Sequence, residues 1–160
     1  TAYQAGLRAK IGLFTGADGD EALVQDLLDA MARNQADFTL TFRRLGDAAL
    51  GGEHDEPVRS LFVDPTAFDE WAARWRQRTA IEPQTPAERR QAMQRVNPAF
   101  IPRNHRIEAV IQAAMNRDDY APFEELVTVL SKPFEEQPSF AAYADPPEAG
   151  QRVTQTFCGT

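Results

Sequence analysis

Apolar residues along this chain recur at intervals of three and four, the spacing of amphipathic helices, and no segment alternates apolar with polar between hairpin turns. The class this predicts is all-α. Tyr3, Leu7, Ile11 and Phe14 keep helical spacing and read as the end of a helix that begins before Thr1. Gly12, Gly16 and Gly19 then turn the chain. Asp18 with Glu21 three residues on has the form of a capping box for a helix whose apolar face is Leu23, Val24, Leu27, Leu28 and Met31. Phe38, Phe42, Leu45 and Ala49 predict a second helix from Asp37. The stretch from Gly51 to Pro57 reads as an exposed, mobile loop. Asp64 as cap and Pro65 in the first turn open a third helix, with Phe68, Trp71, Ala72 and Trp75 on one face. Thr85-Pro86-Ala87-Glu88 is a capping box that opens a fourth, carrying Met93 and Val96 and stopped by Asn97-Pro98. Ile107, Val110, Ile111, Ala114 and Met115 form a fifth stripe. Phe123, Leu126, Val127 and Leu130 form a sixth, begun at Pro122 and ended by Lys132-Pro133.

The architecture expected is about six helices around one core over residues 1–132, followed by an extended, proline-rich arm over 133–160. Trp71 and Trp75 are expected at the centre of that core, because an aromatic stripe at helical spacing is packing rather than a ligand cage. The arm holds Phe134, Phe140, Tyr143 and Phe157 without period, which places it along a surface, since a solvated tail has few aromatics. The stretch Asn97–Glu108 organises the middle of the chain. Pro98 and Pro102 bar a helix through their own positions and give the linker a fixed shape. Two readings stay open for it. In one, Asn104 caps the next helix, Phe100 and Ile101 plug the core and Arg103 pairs with a carboxylate. In the other, a rigid turn presents Arg103, Asn104 and His105 for docking or chemistry.

Composition narrows the classes. A chain of 160 residues is one domain's worth, and no apolar run reaches membrane-spanning length. It opens at Thr1 without an initiating Met or export signal, which reads as a cut from something longer and, for location, favours the cytoplasm. One cysteine, Cys158, excludes an internal disulfide, and His54 and His105 lack metal-ligand spacing. The Gly16–Asp20 turn lacks the ligand spacing of a calcium loop, and Gly51-Gly52 lacks the lysine and hydroxyl of a phosphate loop. A net charge of −7 argues against nucleic acid as partner. Within it, Arg74, Arg76, Arg78, Arg89, Arg90, Arg95, Arg103 and Arg106 meet only Glu82 and Glu88, a local surplus of six positive charges. That run is either a set of solvated helix faces or a docking face for an acidic surface or a phosphate.

Four ordered motifs carry a family resemblance: Ala36-Asp37-Phe38-Thr39-Leu40-Thr41-Phe42-Arg43, the Trp71 to Arg78 segment, Asn97-Pro98-Ala99-Phe100-Ile101-Pro102-Arg103-Asn104-His105, and the terminal Thr156-Phe157-Cys158-Gly159-Thr160. Together they resemble the C-terminal part of the selenoprotein O family, also called the YdiU family. The resemblance implies a kinase-fold parent protein that transfers AMP from ATP, with Mg2+ or Mn2+, to hydroxyl side chains of protein substrates. It implies that the nucleotide and metal ligands lie upstream, so no catalytic residue, cofactor or metal site is carried over onto this chain. Asn104-His105-Arg106-Ile107 only superficially resembles the kinase His-Arg-Asp, with Ile107 where the base would stand. Cys158 resembles the cysteine counterpart of the family's terminal selenocysteine, which implies a regulatory disulfide to the upstream activation-loop region. The partners implied are the upstream kinase-like lobes and protein substrates, with neither nucleic acid nor membrane. The rival reading is a free-standing helical interaction module whose basic middle segment binds an acidic protein or peptide.

Overall fold

A computed structural model describes residues 1–151. Among them the secondary structure is helical throughout, without a strand, as the periodicity predicts. The chain divides into two compact units, Thr1–Pro98 and a second that starts at Ala99.

The first unit holds α1 (Ala2–Lys10), α2 (Asp20–Arg33), α3 (Phe38–Ala48), α4 (Glu56–Arg59), α5 (Pro65–Thr79) and α6 (Pro86–Val96). α2 packs on α5, α3 on α6, and α1 against both α2 and α6. Trp71 and Trp75, one turn apart on α5, stack with ring centroids 5.4 Å apart and are both 1% exposed. Burying an indole leaves its N–H in need of an acceptor. Trp71 donates to the carbonyl of Leu23 at 2.8 Å and Trp75 to that of Ile11 at 2.7 Å. Phe42, Phe68, Leu27, Leu45 and Met93 belong to the same cluster. Gly12, with φ +74, makes the close turn after α1, and a Cβ there would lie 2.7 Å from Arg89 Cγ. Only glycine fits both the torsion and the space.

Helix starts follow the sequence at three places and depart from it at three. Asp64 and Thr85 cap α5 and α6 as read, and Asp37 caps α3 by accepting from the Leu40 N–H. Asp18 and Glu21 do not form a capping box; α2 begins at Asp20 behind Gly19, whose φ of 90 makes the turn without a side-chain cap. Asn104 does not cap α7 but is its first residue. The opening helix starts at Ala2, capped by Thr1 with Gln4, and stops at Lys10, leaving Ile11 and Leu13 buried and Phe14 exposed. The Gly51 to Pro57 stretch is also more regular than a loop: a 3-10 turn, Gly52–His54, runs into α4, whose Val58 is fully buried.

The second unit holds α7 (Asn104–Arg117), α8 (Ala121–Leu130) and two 3-10 turns, Pro138–Tyr143 and Ala149–Gln151. Its buried cluster is Ala99, Phe100 and Val129, with Leu130, Phe140, Tyr143 and Ala144 packed on it. Among the described residues the apolar side chains thus gather in two clusters, where one core was expected. The described part of the arm is coiled rather than extended. The N–H groups of Ala99 and Phe100 both donate to the carbonyl of Pro133, and Gln137 Nε2 donates to that of Val129.

Candidate functional site

The Asn97–Glu108 stretch straddles the division between the units, and each part has its own surroundings. In the first unit, Asn97 is 1% exposed and its side-chain amide is used at both ends. Its Nδ2 donates to the Lys10 carbonyl at 2.8 Å, while its Oδ1 accepts from Lys10 Nζ at 3.2 Å. Arg43 Nη1 donates to the carbonyls of Gln94 and Asn97. Burial holds the Lys10 pKa below the ordinary lysine value.

In the second unit, Ile101, Pro102, Arg103, Asn104 and His105 line a cleft of about 410 Å³ together with Pro147 and Gln151. Phe100 is buried and Ile101 half-buried. Arg103 is buried and supplies the carbonyl that accepts from the Arg106 and Ile107 N–H groups at the start of α7. Asn104 is exposed. His105 is half-buried, and its Nδ1 is shielded without a hydrogen-bond partner. Burial, and then the charges of Arg106 and Arg103, hold its pKa below the ordinary imidazole value. At neutral pH the ring is therefore uncharged, one nitrogen a donor and the other an acceptor. Arg106 donates to the Ala142 carbonyl and lies 5.1 Å from the centre of the Tyr143 ring, while the Tyr143 hydroxyl donates to Glu125. This arrangement joins α7, α8 and the following turn. Arg103, Asn104 and His105 line the cleft of the second unit, and Trp71 and Trp75 belong to the core of the first. Cys158 lies outside the described residues.

The arginine run changes character once folded. Arg74 pairs with Asp26 at 2.6 Å, Arg76 with Asp55, and Arg90 with Asp47 at 2.6 Å. Arg89 is buried and donates to the carbonyls of Thr79 and Gln84. Arg78 bridges two carboxylates: its Nε donates to Asp20 Oδ1 and its Nη1 to Glu82 Oε1, each at 2.7 Å, and its Nη2 to the Thr15 carbonyl at 2.8 Å. Glu82 also accepts from the N–H groups of Phe14 and Thr15 and from the Thr15 hydroxyl. Burial opposes its ionisation, but the Thr15 hydroxyl, the Phe14 and Thr15 N–H groups and Arg78 outweigh burial and hold its pKa below the ordinary glutamate value. Sequence reasoning missed this network. The i,i+4 spacing of Arg78 and Glu82 was its one local signal, since Asp20 lies 58 residues from Arg78.

Among the described residues, no group of three His, Cys, Asp or Glu side chains could hold a metal ion, and no helix is long and apolar enough to cross a membrane. The sequence pattern of the family described as protein adenylyltransferase SelO matches residues 1–131, and the chain belongs to that family. Among its relatives, the protein nucleotidyltransferase YdiU of Bradyrhizobium diazoefficiens is 72% identical over 159 residues, covering 99% of this chain and 32% of the relative. The protein of the same name from Bradyrhizobium sp. strain ORS 278 is 69% identical over 159 residues with the same coverage. That from Methylorubrum extorquens is 59% identical over 165 residues, covering 99% of this chain and 33% of the relative. The chain thus spans 32–33% of the length of these curated relatives.

Proposed function

We propose that this chain is the helical C-terminal region of a protein adenylyltransferase, and that it supports the catalytic lobes without supplying groups to the reaction. The parent enzyme transfers AMP from ATP, with Mg2+ or Mn2+, to Ser, Thr or Tyr hydroxyls of other proteins. Family membership supports the parent activity. The observation that carries the supporting role is the use made of the buried acids. Asp20 and Glu82 are occupied by Arg78 and by backbone N–H groups, so they are structural anchors and do not fit a metal or a nucleotide phosphate. Of the arginines that would serve a free-standing basic interaction module, Arg74, Arg76, Arg78 and Arg90 are paired with Asp26, Asp55, Asp20 and Asp47, which counts against that rival.

Titration calorimetry of the 160-residue chain with ATP and Mg2+ tests the reading. No saturable heat is expected, whereas the full-length protein should bind ATP and label a protein substrate with AMP. A micromolar site on the isolated chain would overturn the supporting role.

Cys158 enters as a redox tether. We place the parent protein in the cytoplasm, where thiols are kept reduced. Under oxidising conditions Cys158 would join a cysteine upstream, both thiols losing a hydrogen to an oxidant such as glutathione disulfide, and so restrain the catalytic lobe. Reduction should raise AMP transfer by full-length wild type and leave Cys158→Ser unchanged. Equal activity in all four conditions, with no Cys158 disulfide in nonreducing mass spectrometry, would return the residue to a terminal thiol without a role.

A further inference from the structure

Helices α7 and α8 pack on each other, and each carries more apolar surface than is buried. Seven of the ten residues of α8 are apolar, yet its buried side chains are Leu126 and Val129. The buried side chain of α7 is Ala113. Ile111 and Met115, one turn apart on α7, are 42% and 77% exposed, and Phe123 and Val127, one turn apart on α8, are 52% and 51% exposed. Side chains one turn apart share a helix face, so these are two apolar strips rather than scattered surface residues. Among the described residues of the second unit, the buried apolar side chains are few or small: Ala99, Phe100, Ala113, Leu126 and Val129. A core of that size leaves a unit of about 60 residues at the margin of independent stability.

What covers the strips follows from length and charge. A relative of this family continues for roughly two thirds of its polypeptide beyond the matched region, since the match takes 32% of it. A covalently attached surface meets the strips at high effective concentration. A second copy fits less well. In a two-fold contact the same patch is used on both copies, and because the acids bordering the strips, Asp118, Asp119 and Glu124, outnumber the one cation, Arg117, two copies would concentrate negative charge there.

We propose that Ile111, Met115, Phe123 and Val127 are the seat on which the remainder of the same polypeptide packs, through an apolar surface with a basic rim. The proposal rests on reading the chain as one part of a longer adenylyltransferase.

Methionine oxidation in the full-length protein tests it, with Met31 and Met93, 4% and 0% exposed, as internal standards. Under dilute hydrogen peroxide, peptide mass spectrometry should find Met115 oxidising within about threefold of those two, because sulfoxide formation follows exposure. That protection should persist on dilution. Oxidation of Met115 about tenfold faster than both standards would overturn the seat, and so would protection that disappears on dilution, which would assign the strips to a second copy. As a second measurement, Val127→Glu should lower the unfolding midpoint of the full-length protein while Ala109→Glu, at an exposed position of α7, leaves it in place. Equal midpoints would also overturn the proposal. None of these readouts needs ATP. A protected Met115 in a protein that transfers no AMP would sink the functional reading alone, and a freely oxidised Met115 in an active enzyme would sink the seat alone.

Discussion

A single guanidinium holds three parts of the first unit in register. Arg78 ties the end of α5 to the start of α2 through Asp20, to the turn after α1 through Thr15, and to Glu82 beyond its own helix. Removing one partner of a buried ion pair strands the other charge, so Arg78→Met is expected to cost about 3–5 kcal/mol in urea unfolding. Trp75→Ala should fall in a similar range, about 3–5 kcal/mol, by emptying an aromatic site in the core. A loss of a few tenths for either would show that the site relaxes around the change. Glu82 sets the acid limb. Its folded pKa lies below the ordinary value of 4.5, so its contribution is complete above that value and is lost as pH falls through the folded pKa. Glu82→Gln should therefore flatten the acid side of the stability profile while lowering stability at neutral pH. An unchanged acid limb would mean that other carboxylates dominate it.

Helix starts show what was legible in the sequence and what was not. Asp64-Pro65 and Thr85-Pro86-Ala87-Glu88 set helix starts by local geometry, and local geometry is what a sequence displays. Asp18 and Asn104 failed for a different reason: at each, tertiary contacts decide where the first turn forms. Asp20 is drawn to Arg78, across 58 residues, and Arg103 is buried just before α7, so the helices begin beside those residues. The cleft residues Arg103, Asn104 and His105 were legible as a group because two prolines fix their backbone. The pairing of the arginine run was mostly not legible, since apart from Glu82, four residues from Arg78, the carboxylate partners lie 21 to 58 residues away. The caps give a direct test. Asp37→Ala removes a side-chain bond to the Leu40 N–H and should cost about 1 kcal/mol. Asn104→Ala, exposed and not a cap, should change stability by no more than a few tenths of a kcal/mol. Equal losses for both would mean that Asn104 caps α7 in solution.

At the scale of the whole molecule, the two units differ in how much holds them together. The first has a broad aromatic core and a buried ionic network, while the second rests on a few apolar side chains and the Arg106–Tyr143–Glu125 arrangement. Hydrogen exchange should be slowest in α2 and α5 and faster throughout α7 and α8 of the 160-residue chain. Comparable protection in all four helices would contradict that ranking. The clasp at Asn97 adds a consequence for anyone dissecting the protein. Helix α6 ends at Val96, and a cut there looks natural, but it would delete one acceptor from each of two cations, leaving Lys10 the Val96 carbonyl and Arg43 the Gln94 carbonyl. The ammonium of Lys10 would lose the Asn97 amide oxygen, and Arg43 would lose the Asn97 carbonyl. The first compact unit runs two residues past its last helix, to Pro98. A fragment ending there should melt cooperatively at a higher midpoint than one ending at Val96, and identical melts would show the last two residues to be dispensable.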